Sequence, residues 1–205
     1  MTVILATKNL HKIREIRDIL SCVKDLDLVT LLNFPSYQPP EELGKSFEER
    51  AAAKALGAAK AMNKWAIADS TALVIPALGE DSVLLCQKHP TSTDKELRRQ
   101  LLILMKGMES EKRYAYFHCC ISLASPEGVL RTATAKTEGI IVQEERGSSG
   151  FGFDPLFIKH EYDRTFAEMD EKTKNRISHR RKALDRIIPL LEGRKQAAKE
   201  ASCLS

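Results

Sequence analysis

Two spacings of apolar residues alternate along this chain: short runs that suit strands, and i, i+3, i+4 repeats that suit helices. Val3, Ile4 and Leu5 form a short buried-strand candidate. After the polar turn Thr7, Lys8, Asn9, the residues Ile13, Ile16, Ile19, Leu20 and Val23 recur at helical spacing. Leu28, Val29, Leu31 and Leu32 predict a second strand, and Pro35, Pro39 and Pro40 an irregular loop behind it. Ser46 with Glu49 makes a capping box that opens an alanine-rich helix reaching about Met62, weakened only modestly by Gly57. Trp65 to Ala68 predicts a strand that ends at Asp69, Ser70 and Thr71, with Leu73 to Leu78 continuing it beyond a bend.

Thr93 with Glu96 is a second capping box, and Leu97, Leu101, Leu104 and Met105 give the helix behind it one apolar face. From Tyr114 to Leu123 the pattern alternates, with Phe117, Cys119, Ile121 and Leu123 on one side. A turn at Ser125-Pro126-Glu127-Gly128 leads to an antiparallel partner, Val129 to Thr137. Gly139 to Val142 and Leu156 to Ile158 predict two more strands. A last helix starts between Asn175 and Ser178 and carries Ile177, Leu184, Ile187, Ile188 and Leu191. This order predicts an α/β chain built on a long twisted mixed sheet, one domain over residues 1–195 and a polar tail over 196–205.

Composition narrows the class. At 205 residues, 43% hydrophobic and 29% charged, the chain reads as an ordinary globular protein and not as a disordered one. A formal charge of +4 permits an anionic ligand without demanding nucleic acid. Cys22, Cys86, Cys119, Cys120 and Cys203 are odd in number and include no CxxC pair, which argues against a disulfide framework and for a reducing compartment. Nothing at the start resembles a secretory signal, and no run reaches the roughly 18 apolar residues of a membrane span. A cytoplasmic protein without a membrane partner is expected.

Four patches carry candidate chemistry. Thr7, Lys8, Asn9 and Lys12 precede or open the first helix, where unpaired N–H groups and a partial positive charge suit phosphate; the plain alternative is an ordinary N-cap with solvated lysines. Glu41, Glu42 and Asp69 offer carboxylate oxygens of the kind Mg²⁺ takes alongside substrate phosphates; the plain alternative is a solvated Glu pair and a strand-ending Asp. Lys54, on the alanine-rich helix, is either a phosphate contact or a snorkelling surface lysine. In RGSSGFGFDPLF, residues 146–157, the glycines let backbone approach a flat ring and Phe151 or Phe153 offers a stacking face; the alternative is that both phenylalanines pack inward. Lys172 to Arg186 is a basic stretch in which Lys174, His179 and Arg180 are candidates for phosphate or for a carbonyl of a base.

Taken in order, these patches resemble one family. ILATKNLHKIREI resembles the opening T-x-N-x-x-K, FEERAAAKA the segment FxENAxxKA, FHCCISL the strand FxCVLAL, GFGFDPLF the loop GFGYDP-[IL]-F, and EKTKNRISHRRKAL the closing segment with SHR and AL. The family is that of the inosine triphosphate pyrophosphatases, which hydrolyse dITP and XTP to the monophosphate. The resemblance implies a homodimeric, Mg²⁺-dependent enzyme with an elongated mixed sheet, flanked by helices and divided into two lobes around a central cleft. It implies that Thr7, Lys8, Asn9 and Lys12 hold phosphates with help from Lys54 and Thr71. It further implies that Phe151 stacks on the purine in a slot shaped by Gly152, Phe153 and Asp154, and that Lys174, His179 and Arg180 read the base edge.

A 6-oxo purine presents an acceptor where adenine presents a donor, so a site built on such pairing discriminates by about 10⁴. The family's ADDSGL reads ADSTAL here, so Asp69 takes the first carboxylate position and Ser70 the second. The glycine-rich GGxPGxxSAR segment is replaced by GEDSVLLCQKH, and the Asn after FxE is Arg50. A serine is no comparable general base. Two alternatives to the hydrolase therefore stand beside it: a purine nucleotide-binding homologue with impaired turnover, and a nucleic-acid binder using the basic stretch, which the resemblance does not lead one to expect.

Overall fold

The computed structural model describes residues 1–40, 46–79 and 93–193. Six strands form one sheet in the order β2-β1-β3-β4-β5-β6, with β1 at Thr2–Leu5, β2 at Asp27–Thr30, β3 at Trp65–Val74, β4 at Tyr114–Ser125, β5 at Gly128–Ile141 and β6 at Phe157–Lys159. β1 runs parallel to both β2 and β3, whereas β5 and β6 pair antiparallel, so the sheet is mixed. The chain divides into two compact units. The first holds Met1–Ser70, Cys119–Ala135 and the chain from Arg180 on; the second holds Thr71–His118 and Lys136–His179.

In the first unit, β1 is buried on both faces. Val3 and Leu5 join Ile13, Ile16, Ile19 and Leu20 in one cluster, while Ile4 and Ala6 join Ala55, Ala58 and Ala59 in another. The first set comes from α1, Leu10–Leu20, which begins behind the N-cap Asn9. The second comes from α2, Phe47–Met62, whose capping box forms as expected: Ser46 Oγ accepts from Glu49 N at 3.1 Å and Glu49 Oε2 accepts from Ser46 N at 2.9 Å. Alanines on the buried face of α2 meet Ala66, Ala68 and Ala124. Small side chains on both sides let helix and sheet approach closely. Beyond Ser178, α5 at His179–Leu184 packs Ala183 and Leu184 into the first cluster.

The second unit is built around aromatic rings. Phe117 meets Phe157 edge-on at 4.8 Å between centroids, and Phe157 meets Phe166 at 5.0 Å. Leu101 and Met105 close this core from α3, Asp94–Leu104, behind the N-cap Thr93. Arg113 is buried here, and burial lowers its pKa; its guanidinium donates to the carbonyls of Ile141, Met105 and Val142 at 2.7–3.0 Å. α4, Glu171–Ile177, ends at Ser178.

The structure corrects four expectations. Leu31 and Leu32, expected in the second strand, lie in a short 3₁₀ turn, Leu31–Asn33, that Thr30 caps behind β2. β3 does not end at Asp69, Ser70 and Thr71 with a bend before Leu73; it runs unbroken to Val74, and Pro76–Leu78 form a 3₁₀ turn and not a further strand. The two strands expected over Val129 to Val142 are one strand of 14 residues. The last helix begins earlier than Asn175, at Glu171, and breaks at Ser178 before resuming as α5.

Candidate active site

Each unit gathers one cluster of the expected side chains. In the first unit the centre is Asp69, 4% exposed in the interior of β3. Arg180 Nε and Nη2 each donate to Asp69 Oδ2 at 3.1 Å, and Arg180 Nη1 pairs with Glu15 Oε2. Lys12 Nζ pairs with the other oxygen, Asp69 Oδ1. Cys119 Sγ lies 3.8 Å from Oδ2, and Lys54 Nζ donates to the backbone oxygen of Asp69 at 2.9 Å. Three elements thus deliver cations to one strand residue: α1 brings Lys12, α2 brings Lys54 and α5 brings Arg180.

The electrostatics follow from burial. Arg180 is 1% exposed, and desolvation works against its charged form. The carboxylates of Asp69 and Glu15, with Cys119, more than offset that cost, so its pKa moves up from the ordinary arginine value. Nearby, burial pushes the Cys120 thiol up to about 12; Glu48 and Asp69 add to the rise and Lys54 opposes it. The β1–α1 turn carries Thr7, Lys8 and Asn9. Thr7 Oγ1 accepts from Asn9 N, and Asn9 Oδ1 accepts from Lys12 N, both at 3.1 Å. Asn9 is therefore a true N-cap, with its carboxamide oxygen committed to the helix.

In the second unit the centre is Asp154, 3% exposed in a short 3₁₀ turn, Asp154–Leu156. Its Oδ2 accepts from Phe151 N at 2.8 Å and from Lys174 Nζ. Lys174 Nζ also stands 4.9 Å from the Phe151 ring centroid. Gly150 has φ +76°, and a Cβ there would lie 2.2 Å from Asp154 Oδ2, so glycine alone allows this close approach. Phe153 packs inward at 8% exposure, and His179 stacks on Phe117 with centroids 4.6 Å apart. Phe151 stays half-buried.

The expected site residues therefore fall into two sets. Thr7, Lys8, Asn9, Lys12, Lys54, Asp69, Ser70 and Arg180 belong to the first unit, and Thr71, Phe151, Gly152, Phe153, Asp154, Lys174 and His179 to the second. Arg180, expected at a base edge, directs its donors at two carboxylates. Glu41 and Glu42 lie outside the described residues. Sequence reasoning missed Glu15, 4% exposed on the buried face of α1 beside Ile16 and Ile19. A lone carboxylate on an apolar helical stripe is the signal that could have found it.

The sequence profile of the Ham1 family matches residues 3–190. The chain belongs to the Ham1 family. Ham1 relatives include a dITP/XTP pyrophosphatase of Protochlamydia amoebophila (strain UWE25), 44% identical over 195 residues that cover 94% of this chain and 98% of that protein. One from Chlamydia caviae is 45% identical over 197 residues, covering 94% and 95%. Among solved structures, the Staphylococcus aureus Ham1 protein superposes with a TM-score of 0.79 at 31% identity, covering 95% of this chain and 100% of that one. A HAM1 protein from Coxiella burnetii gives 0.80 at 33% identity, covering 93% and 98%. The mixed six-stranded α/β architecture is that of the Ham1 structures.

Among the described residues no group of three or more His, Cys, Asp or Glu is placed to hold a metal, and none of the helices is long and apolar enough to cross a membrane. Asp69 is the described member of the expected metal-binding trio. Both of its carboxylate oxygens face cations of the protein.

Proposed function

We propose that this chain hydrolyses non-standard purine nucleoside triphosphates, such as dITP, ITP and XTP, to the monophosphate and pyrophosphate, and so keeps them from being incorporated into nucleic acid. The observation that carries this reading is the 44% identity to a dITP/XTP pyrophosphatase over 94% of the chain. The first unit supplies what an anionic phosphate chain needs: Lys12, Lys54 and the donors of the β1–α1 turn. Taken by itself, the second unit offers Phe151 as a stacking face, with Lys174 and His179 as donors for a 6-oxo group. Within the first unit Arg180 fixes Asp69, since two of its nitrogens already meet that carboxylate.

The reaction forms a bond from a water oxygen to the α-phosphorus and breaks the bridge to the β-phosphate, which leaves within pyrophosphate. The water proton goes to a carboxylate, for which Asp69 is the candidate, because Ser70 is no comparable base. Lys12 exchanging Asp69 Oδ1 for a phosphate oxygen would open that carboxylate to water. One or two carboxylates suffice for Mg²⁺ when substrate phosphates complete the shell, so Asp69 would help hold the ion once Lys12 released Oδ1, with Glu41 or Glu42 as expected from sequence. When bound, it supplies neutralisation of phosphate charge. The acting form is proposed to be a cytoplasmic homodimer.

The test is pyrophosphate release from ITP, dITP, XTP, GTP and ATP with Mg²⁺, beside Asp69→Asn and Ser70→Asp. Release is expected for the 6-oxo, non-standard purines, with ATP disfavoured by about 10⁴. Asp69→Asn should abolish it and Ser70→Asp should raise it. Wild type releasing no more than Asp69→Asn would overturn the reading, and ITP binding without release would leave the binding homologue in its place.

A further inference from the structure

Outside the residues already given a role, α3 reaches the glycine-rich loop with two side chains of opposite charge. Asp94 and Arg98 are one helical turn apart and share a face. Asp94 Oδ2 accepts from Gly152 N at 2.7 Å, and Arg98 Nη1 donates to Gly152 O at 2.9 Å. Both polar backbone atoms of one residue are thereby held by one helix. Asp94 is not spent on capping, because Thr93 already accepts from Glu96 N and receives the Glu96 carboxylate in return. Arg98 is fixed from its other side by Glu145 Oε2, 3.1 Å from Nη2, and its side chain is 13% exposed.

The residue they hold lies between Phe151 and Phe153. Gly152 has φ +59°, and nothing lies within 4 Å of where a Cβ would stand. Space does not demand glycine there; the left-handed backbone does. The consequence falls on Phe151. Its own N–H is held by Asp154 at 2.8 Å, and the next N–H along the chain, that of Gly152, is held by Asp94. The peptide groups on both sides of the Phe151 Cα are therefore anchored, one by the 3₁₀ turn and one by α3, and the direction of the ring is set by the pair.

We propose that Asp94 and Arg98 are positioning residues for the purine slot, aligning the Phe151 ring through the Gly152 peptide and so contributing to the choice of base without touching the nucleotide. This rests on Phe151 being the stacking side chain. Arg98 bridges a carbonyl and a carboxylate with a planar fork, which lysine cannot reproduce.

The test uses the full chain and two probes, inosine 5′-monophosphate and base-free inorganic tripolyphosphate, with affinities measured by calorimetry. Losing one charge-assisted hydrogen bond to the loop should weaken the inosine probe by about tenfold in Asp94→Ala and in Arg98→Ala. Tripolyphosphate should change by less than about twofold. Arg98→Lys should recover part of the loss, and adding Arg98→Ala to Phe151→Ala should cost less than about twofold more, because both act through one ring. Exchange of the Gly152 amide with deuterium should speed up by at least about tenfold in both alanine variants. Equal weakening of both probes, full additivity with Phe151→Ala, or inosine affinity within about twofold of wild type overturns the proposal. If wild type does not bind the inosine probe, the nucleotide reading fails and takes this role with it, while faster Gly152 exchange still identifies the clamp. Unchanged Gly152 exchange beside intact inosine binding refutes the clamp alone.

Discussion

Replacing Arg180 by methionine tests the logic of the Asp69 cluster most directly. Arg180 is 1% exposed, meets Asp69 Oδ2 through two nitrogens at 3.1 Å and pairs with Glu15 through a third. Methionine fills a comparable volume but leaves the carboxylates of Glu15 and Asp69, each 4% exposed, without this guanidinium. Removing one partner of a buried ionic group costs about 3–5 kcal/mol, since the remaining charge keeps its desolvation penalty. Lys12 provides the comparison: it pairs with the same carboxylate, yet its side chain is 20% exposed. Asp69 keeps Arg180 when Lys12 is lost, so Lys12→Met should cost less, about 1 kcal/mol.

The assay is urea unfolding followed by Trp65, the chain's single tryptophan, which packs against the core cluster of the first unit. At an m-value of about 2 kcal/mol/M, Arg180→Met should lower the midpoint by about 1.5–2.5 M and Lys12→Met by about 0.5 M. Arg180→Lys, which keeps the charge and loses the fork, should fall between them. A midpoint for Arg180→Met no lower than that of Lys12→Met would refute the claim that Arg180 neutralises buried carboxylates.

Gly150→Ala should raise the KM for ITP with little effect on kcat and lower Tm, because its Cβ would stand 2.2 Å from an Asp154 oxygen that Phe151 N and Lys174 hold in place; unchanged Tm and KM would contradict this. Ser46→Ala removes one arm of the α2 capping box and should cost about 1 kcal/mol, read as a fall of about 2–4 °C in Tm. The Cys120 thiol has a folded pKa raised to about 12, so its contribution to stability is complete below the ordinary thiol range and is lost as pH climbs through that range toward about 12. Cys120→Ala should therefore flatten the alkaline fall of Tm, and in the folded wild type iodoacetamide at about pH 8 should label exposed Cys22 but not Cys119 or Cys120.

Much of the fold was legible because the helices announce both their ends and their faces. Ser46 with Glu49 and Thr93 with Glu96 mark the starts of α2 and α3, though α3 stops at Leu104, short of the end expected near Gly107, and Ile13, Ile16 and Ile19 mark the inward side of α1. Strand ends were misread where an inward position is polar or lacks a side chain. In β5 every second residue from Ala133 to Ile141 is buried, but two of those positions are Thr137 and Gly139, which interrupt an apolar count without interrupting the ladder. In β3 the Asp69-Ser70-Thr71 run looks like a strand terminus, yet the strand continues, because the carboxylate that would otherwise forbid burial is matched by Lys12 and Arg180 from two helices.

The same reasoning explains why the chemistry was only half legible. Local motifs brought Phe151, Asp154 and Lys174 into view, since a glycine-rich turn and a basic stretch each stand out within a few residues. Pairing over 111 residues, as between Asp69 and Arg180, leaves no local trace. What it leaves is a charge at the wrong place in an apolar repeat. Arg180 precedes Ala183, Leu184 and Ile187 at helical spacing, and Glu15 sits with Ile16 and Ile19, so both are charged residues on buried stripes. Each must find a partner or lose its charge, and with Asp69 and Lys12 they sum to zero: two positive and two negative. A triphosphate brought to these four side chains would add negative charge, which Lys54, beside the Asp69 backbone oxygen, offsets in part. An acidic ligand there would therefore be favoured by a cation that comes with it or by a carboxylate that lets one go.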